Sequence, residues 1–283
     1  MAFIPLYDTN PLRNIKRPWV AWAIIAANIV IYFAIEGGSF SQEPGDAVTT
    51  AFGLVPAYFD GAAQRPIEVA AVPDALTLVT YSFLHGSFWH LAGNMIFLWV
   101  FADNVEDALG HFRYLIFYVL CAVAAGFAFV LSAPMSEAPV IGASGAIAGN
   151  IGAYLLLHPR AKIWVLIVIP VRIRAVYALG FWIIFQFFSA VEQSSDQEVA
   201  WWAHIGGFAI GALLVIFMRQ KGVPLFAPAP NEGTPRRSAA ATAVDGAPPF
   251  MPPPIAPAEP PPGPPWEAPG GERTGDYPKG PWG

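Results

Sequence analysis

The chain has 283 residues, of which 55% are hydrophobic and only 12% are charged, and its mean hydropathy is +0.48. Soluble domains carry about 25% charged residues, so this composition excludes an ordinary soluble domain and predicts an integral membrane protein. The formal net charge of −5 argues against nucleic acid as a partner. The single cysteine, Cys121, excludes an internal disulfide, and we expect it to be a small core residue.

Six apolar runs follow one another along the chain, separated by polar connections. The first is long enough to cross most of a bilayer, which favours a retained transmembrane helix over a signal peptide. A further apolar island at 163–169 is too short to span. The predicted helices cover residues 19–35, 78–102, 114–131, 142–157, 175–191 and 200–218. The fold class is therefore all-α and polytopic, with an N-terminal segment at 1–17, a six-helix membrane domain at 18–221 and a tail at 222–283.

Basic residues divide unequally between the two sides that six crossings create. Before residue 222, ten lysines and arginines fall on the side of the termini, and Arg65 alone falls on the other. Cytoplasmic loops carry the excess of Lys and Arg. The sequence therefore predicts that both termini are cytoplasmic and that the acidic loops face outward.

The tail at 222–283 differs in kind because it holds 18 of the 29 prolines. Such a composition cannot bury a core and favours polyproline II structure or disorder. The composition is also compatible with a tail that binds an aromatic-lined groove of another protein. The sequence does not identify that protein. The solvated tail is the favoured interpretation.

Ser144 heads a run of small residues that begins with the string GASG at 142–145. Glycine and alanine allow helix backbones to approach closely in a bilayer, so the run predicts a helix packed on several sides. Gly-x-Ser-Gly is by itself a weak pattern. A packing residue, or a hydroxyl bonded to a carbonyl one turn earlier, competes with a nucleophile as the interpretation of Ser144.

Polar residues of three predicted helices fall at one depth once the topology is applied. Ser144 and His204 lie near the outer ends of the fourth and sixth helices, and His85, His90 and Asn94 lie in the outer to middle portion of the second. The three-and-four spacing of His204, Gly207 and Gly211 places them on one helix face, which would pack against the fourth helix.

The residue types that are absent from the predicted helices argue against several kinds of chemistry for these polar side chains. The predicted spans carry no central carboxylate, which argues against a carboxylate proton pump and against an aspartyl intramembrane protease. A metal site from His85, His90 and His204 would lack both an acidic partner and a His-Glu-x-x-His motif, so neither a metal nor another cofactor is predicted. A serine, a histidine and an asparagine at one depth are typical of a nucleophile, its base and oxyanion donors.

These strings, in this order, resemble the rhomboid intramembrane serine proteases. The resemblance covers residues 5–220 and is carried by HGSFWHLAGN at 85–94, NVEDALGHFR at 104–113, GASG at 142–145 and AHIGGFAIG at 203–211. One departure is that many family members carry Trp-Arg in the first loop, whereas this chain reads DALTL at 74–78.

The resemblance implies a role for each matching residue. Ser144 would be the nucleophile and His204 its base, while His90, Asn94 and the Ser144 backbone amide would bind the oxyanion. Structural support would come from His85, Gly142, Gly145, Gly207, Gly211, Glu106, Gly110 and Arg113.

The function that the resemblance implies is a serine endopeptidase acting on transmembrane helices within a lipid bilayer, in a bacterial inner membrane. The alternative is a catalytically inactive rhomboid-like protein that binds membrane proteins. A small transporter is disfavoured because the sequence has no internal repeat.

Overall fold

The structure is a computed structural model, and it describes residues 3–38, 46–59, 61–65, 68, 70–192 and 200–229. The predicted tail from residue 230 onward and the loop at 193–199 lie outside the described residues. The helices are α1 (Trp19–Val30, continued by a π-helical turn at Ile31–Ile35), α2 (Asp46–Phe52), α3 (Pro56–Phe59), α4 (Asp74–Thr80, continued by a 3-10 turn at Tyr81–Phe83), α5 (Phe88–Leu109), α6 (His111–Ser132), α7 (Ser144–Leu157), α8 (Ala175–Glu192) and α9 (Trp201–Met218). The strands are β1 (Ile4–Asp8), β2 (Lys162–Leu166) and β3 (Pro170–Arg174).

The fold is helical and polytopic, as the sequence predicted. Among the described residues, α6, α8 and α9 are long and apolar enough to cross a membrane, whereas α7 and Trp19–Ile35 are shorter apolar helices. The count of six crossings stays a prediction. The sequence did not predict the three-stranded sheet.

The second predicted helix, 78–102, differs from the structure at both ends. Helix α4 and its 3-10 turn end at Phe83, Leu84 is extended, and α5 begins only at Phe88. Ser87 starts α5 by accepting a hydrogen bond from the His90 N–H at 3.2 Å. The apolar run is thus interrupted by a short connection at 84–87, and α5 begins two residues before His90.

The end of α5 at Leu109 includes the acidic stretch that sequence analysis interpreted as a polar connection. The Asp107 carboxylate accepts hydrogen bonds from the N–H groups of Arg13, Asn14 and Ile15 at 2.6–3.0 Å. Glu106 accepts from the N–H groups of Val20 and Ala21, in the first turn of α1. These carboxylates are solvated by backbone N–H groups, which allows the helix to continue through them.

Helix α7 lies at the centre of the bundle, and all its residues from Gly145 to Tyr154 are buried. A side chain on Gly207 of α9 would overlap the Gly145 carbonyl, and one on Gly211 would overlap the Gly149 backbone. The α7 and α9 backbones are therefore in direct contact, which only glycine permits at these positions.

The sheet has the order β1-β2-β3 and is antiparallel throughout. Ile163 and Val165 of β2 point inward and are fully buried in the hydrophobic core. Tyr7 and Trp164 lie on the outer face, where their rings stack with centroids 5.9 Å apart. The sheet thus covers part of the bundle with one face and leaves the other outside.

Asp8 joins the sheet to the far end of α7. Its carboxylate accepts hydrogen bonds from the Tyr154 hydroxyl at 2.5 Å and from Asn104 Nδ2 at 3.0 Å. Burial raises the pKa of Asp8 from 3.8 to about 7; the Tyr154 hydrogen bond opposes this rise, and the nearby Asp103 adds to it. The folded protein therefore binds more protons at this site than the unfolded chain between pH 3.8 and about 7.

We expect the Asp8→Asn variant to remove part of the pH dependence of stability. Because folding raises this pKa, the stabilisation associated with protonated Asp8 is present at low pH and is lost as pH rises to about 7. The thermal unfolding temperature of the unmodified protein in detergent should fall between pH 4.5 and 7.5 by roughly 2 °C or more relative to the variant. Parallel curves for the two proteins would contradict this assignment.

Candidate active site

Ser144 is the first residue of α7, and its side chain is only partly buried. The preceding Gly142 has φ +125°, a backbone conformation that strongly favours glycine, and its N–H donates to the Tyr81 carbonyl at 2.9 Å. This turn directs the chain into the helix at Ser144. The serine is thus placed where the unpaired N–H groups of a helix start and its dipole favour negative charge.

His204 approaches Ser144 from the first turn of α9. Its Nε2 lies 2.8 Å from Ser144 Oγ, and its Nδ1 lies 3.0 Å from Oε1 of Gln186 on α8. When Nδ1 carries the proton and donates to Gln186, Nε2 is left to accept from the serine hydroxyl. Three helices therefore contribute to one hydrogen-bonded chain, Ser144–His204–Gln186.

Aromatic rings surround the imidazole of His204, which is 9% exposed. The ring centroids of Trp182 and Trp201 lie 6.0 and 6.1 Å from that of His204. These rings restrict the orientation of the histidine and limit water on that side.

His90 lies against the backbone that precedes the serine. A Cβ placed on Gly142 would come within 2.9 Å of His90 Cε1 and Nε2, and within 3.7 Å of Ser144 Oγ. Gly142 is therefore required both for its φ and for the space that the His90 ring occupies. The His90 imidazole and the Ser144 hydroxyl therefore both lie close to Gly142.

Asn94 follows His90 by one turn on α5 and is 5% exposed. Within the part of the chain that the structure describes, its buried Nδ2 has no hydrogen-bond partner. A buried donor without a partner costs about 1–3 kcal/mol. A ligand oxygen that accepted from it would remove this cost.

His85 is fully buried, and its ring lies 5.2 Å from that of His90. Its backbone N–H donates at 2.9 Å to the carboxylate of Glu36, a buried residue that follows Trp19–Ile35. Glu36 directly follows the first predicted helix, 19–35, and the sequence analysis gave it no role. The sequence signal for Glu36 was its position directly after an apolar run. Its hydrogen-bond partner, His85, lies 49 residues away in the chain, so a local pattern does not indicate the pairing.

The remaining residues predicted to be structural lie elsewhere. Glu106 holds the start of α1 and also contacts His111, and Gly110, with φ +80°, separates α5 from α6. Arg113 donates to the Met218 carbonyl at the end of α9, at 3.3 Å. Gly145, Gly207 and Gly211 lie at the α7–α9 contact.

Gln186 and Arg65 were missed by the sequence analysis. Gln186 lies inside the predicted helix 175–191, and the sequence analysis gave it no role. Arg65 lies in the first loop, pairs with Asp74 at 2.9 Å and donates to the carbonyls of Ala51 and Val72. This arginine therefore organises the described part of the loop that lacks Trp-Arg.

The fold and the site together define a class of protein, a polytopic helical membrane protein with a serine–histidine pair at the head of its central helix. The Rhomboid domain matches residues 73–221, more than half of the chain. The chain belongs to the rhomboid family.

Three relatives illustrate the range of the similarity. The chain is 32% identical over 152 residues to Rhomboid protein 1, mitochondrial, of Saccharomyces cerevisiae, covering 50% of this chain and 41% of that protein. It is 30% identical over 141 residues to Rhomboid protease GluP of Bacillus subtilis, covering 49% and 24%. The putative rhomboid protease YdcA of the same bacterium is 35% identical over 80 residues, covering 28% and 40%. The chain thus spans less than half the length of each of these relatives.

Proposed function

We propose that this protein is an intramembrane serine endopeptidase that hydrolyses peptide bonds in or near transmembrane helices. The observation that carries the proposal is the 2.8 Å contact between Ser144 Oγ and His204 Nε2 at the start of a buried helix. Two relatives that are named proteases support the same class.

In the first half of the reaction, the Ser144 hydroxyl attacks the substrate carbonyl while His204 Nε2 takes its proton. A serine hydroxyl is a weak nucleophile until a base accepts this proton. Gln186 takes the position that an acid occupies in a triad, and its neutral oxygen holds the Nδ1–H tautomer. The machinery is therefore a dyad oriented by an amide. His204 then returns the proton to the leaving amine.

The developing oxyanion is stabilised by the Ser144 backbone N–H, by the His90 imidazole and by Asn94 Nδ2. The helix start at Ser144 supplies positive potential, and the buried Asn94 donor is already desolvated. Loss of one such donor typically costs about 2.7–4 kcal/mol of transition-state stabilisation.

Water completes the cycle by hydrolysing the acyl enzyme, with His204 again acting as base. With both termini cytoplasmic, the start of α7 faces the outer side of a bacterial inner membrane, where water is available. The helix itself is 14 residues, about 21 Å long, so it is too short to span the hydrocarbon core alone. Residues 18–221 form the catalytic domain, and the tail from 222 lies outside it.

The substrate is a transmembrane helix of another membrane protein, which must unwind locally because its carbonyls are hydrogen-bonded. Residues that weaken a helix near the scissile bond are therefore favoured. We place substrate entry beside α8, whose apolar side chains face outward, as Phe181, Ile184 and Phe188 do.

The proposal is tested by reacting the detergent-solubilised protein with a fluorophosphonate probe. We expect one covalent adduct, on the peptide that contains Ser144, and at least ~100-fold slower labelling of the His204→Ala variant because the base is lost. The matched control is Ser132→Ala, an exposed serine at the end of α6, which should label as the unmodified protein does. A folded protein that binds membrane proteins but takes up no probe would favour the inactive rhomboid-like binder instead.

A further inference from the structure

The sheet extends from the cytoplasmic end of α5 towards the middle of that helix. The N–H of Arg13 donates to Asp107 at 3.0 Å near the end of α5, while the tilted rings of Phe3 and Phe97 have centroids 5.9 Å apart. Phe97 precedes Asp107 by ten residues, about 15 Å along the helix axis. Strand β1 therefore lies alongside the helical bundle, between the levels of Asp107 and Phe97 on α5.

The strand register places the β2–β3 turn close to the level of Phe97 on α5. Ile4 of β1 pairs with Leu166 of β2, and Leu166 pairs with Pro170 of β3. The turn at 167–169 lies just beyond this row, while the opposite end of the hairpin, where Lys162 pairs with Arg174, adjoins α8. The turn is thus at the end of the sheet that is nearest to the level of Phe97.

Aromatic residues locate the membrane interface at nearly the same level. Trp99 is 60% exposed and stacks on Trp22, with centroids 6.4 Å apart. Tryptophan is enriched at the membrane–water boundary. Phe97 lies two residues, about 3 Å, further along α5 towards the bilayer centre. The turn therefore lies just inside the aromatic belt.

The outer face of the sheet changes in character along its length. The row at the lower end is cationic, with Lys162 beside Arg174. The middle row is aromatic and cationic and contains Tyr7, Trp164 and Arg172. The upper row is apolar and contains Ile4, Leu166 and Pro170. This order matches the layers that lead from solvent through the headgroups to the acyl chains.

The turn itself is apolar, which is unusual for a hairpin turn in water. Ile167, Val168 and Ile169 are 59%, 88% and 66% exposed. Turns in water favour Gly, Asn, Asp and Pro, and contiguous exposed apolar side chains indicate an interaction surface. On either side of the turn, the backbones of β2 and β3 pair with each other in antiparallel register.

We propose that the β2–β3 hairpin is an interfacial anchor that recognises the anionic phospholipids of the cytoplasmic leaflet. The side chains of 167–169 enter the boundary between headgroups and acyl chains. Lys162, Arg172 and Arg174 bind the lipid phosphates. A bilayer is favoured as the occupant because cationic and apolar rows are graded along the membrane normal, and an anionic leaflet complements that charge.

The anchor also bears on the active site, because Asp8 of β1 is hydrogen-bonded to Tyr154 near the end of α7. Lipid bound to the sheet therefore holds the cytoplasmic end of the helix that begins with Ser144. This coupling follows from the anchor and is independent of whether the site is a protease.

The test uses the full chain with Val168→Cys, labelled with the fluorophore NBD and reconstituted in vesicles of three parts phosphatidylcholine to one part phosphatidylglycerol. Cys121 is fully buried, so labelling under native conditions is confined to the new thiol. The matched control is Lys221→Cys, an exposed position after α9. Lipid with a nitroxide at acyl carbon 5 should quench the Val168 probe strongly and iodide weakly, and the control should show the reverse.

Two outcomes would overturn the anchor. A Val168 probe that iodide quenches and the nitroxide lipid does not would place the turn in water. A probe that neither quencher reaches would mean that a second copy or another protein covers the turn.

The charge requirement is tested by adding Arg172→Gln and Arg174→Gln to the labelled protein. Nitroxide quenching should fall at least twofold in the anionic vesicles, show no difference in pure phosphatidylcholine, and be restored by Arg172→Lys with Arg174→Lys. Thermal unfolding in detergent is measured as the control for whether the variant is folded. Equal quenching of both proteins in anionic vesicles would exclude lipid recognition by these arginines.

Discussion

Replacing Ser144 by alanine is expected to abolish cleavage of a transmembrane substrate, with a rate loss of at least ~10⁴-fold. The change removes the one oxygen that lies 2.8 Å from His204 Nε2. It removes little else, because Ser144 is only partly buried and a single hydrogen bond contributes about 1 kcal/mol to stability. The thermal unfolding temperature should therefore shift by only about 1–3 °C.

The measurement is the initial rate of cleavage of a fluorescent transmembrane substrate in proteoliposomes, with thermal unfolding of the same preparations. Ser132→Ala serves as the matched control, since Ser132 is exposed and its hydroxyl donates to the Phe129 carbonyl one turn earlier. A Ser144→Ala protein that still cleaves at more than a few per cent of the normal rate would show that another group is the nucleophile.

Sequence reasoning was most effective where the physical signal is local. Apolar run length and the division of basic residues predict a helical membrane protein, and the three-and-four spacing of His204, Gly207 and Gly211 defines one face of a helix. The structure adds the distance between Ser144 and His204. Their catalytic roles remain a proposal.

The orientation of His204 shows what local patterns omit. Sequence analysis found no central carboxylate in the predicted spans and named Ser144 and His204 without a third residue to orient the histidine. Gln186 lies on α8, 18 residues earlier in the chain, and a lone amide in an apolar run does not indicate which residue it will meet. Only the packing of α8 against α9 decides this pairing.

The sheet was missed for a related reason. Residues 163–169 were interpreted as an apolar island too short to span, without a structure of their own. Strand β2 pairs with β1, which lies more than 150 residues earlier, so the pairing leaves no trace in a local window. The alternation of Ile163 and Val165 with outward residues was present but too short to distinguish a strand from a buried loop.

The acidic end of α5 was misassigned because charge was equated with a connection between helices. Asp107 and Glu106 are instead bound by N–H groups from residues 85–94 positions away in the chain. A carboxylate that accepts several backbone N–H groups is stable in a buried helix end, but its donors lie in another segment.

The second large effect is expected from Gly207→Ala, which should lower the cleavage rate at least ~100-fold. A Cβ at this position would overlap the Gly145 carbonyl, which is backbone and cannot move aside without shifting α7. His204 lies one turn before Gly207 on α9, so any separation of the helices also separates Nε2 from Ser144 Oγ. A misplacement of about 1 Å at a catalytic group can cost 10²-fold in rate. Overpacking of this kind also costs about 1–3 kcal/mol of stability.

The matched control is Gly180→Ala on α8, where an added Cβ would meet no atom within 4 Å. Both variants make the same chemical change in a helix, and alanine is the better helix former, so Gly180→Ala should keep the normal rate and unfolding temperature. Comparing cleavage rate with fluorophosphonate labelling separates two causes. If Gly207→Ala unfolds at a lower temperature but labels Ser144 at the normal rate, close helix approach serves stability alone. If labelling and cleavage fall together, the contact between Gly207 and Gly145 sets the distance at which His204 acts on Ser144.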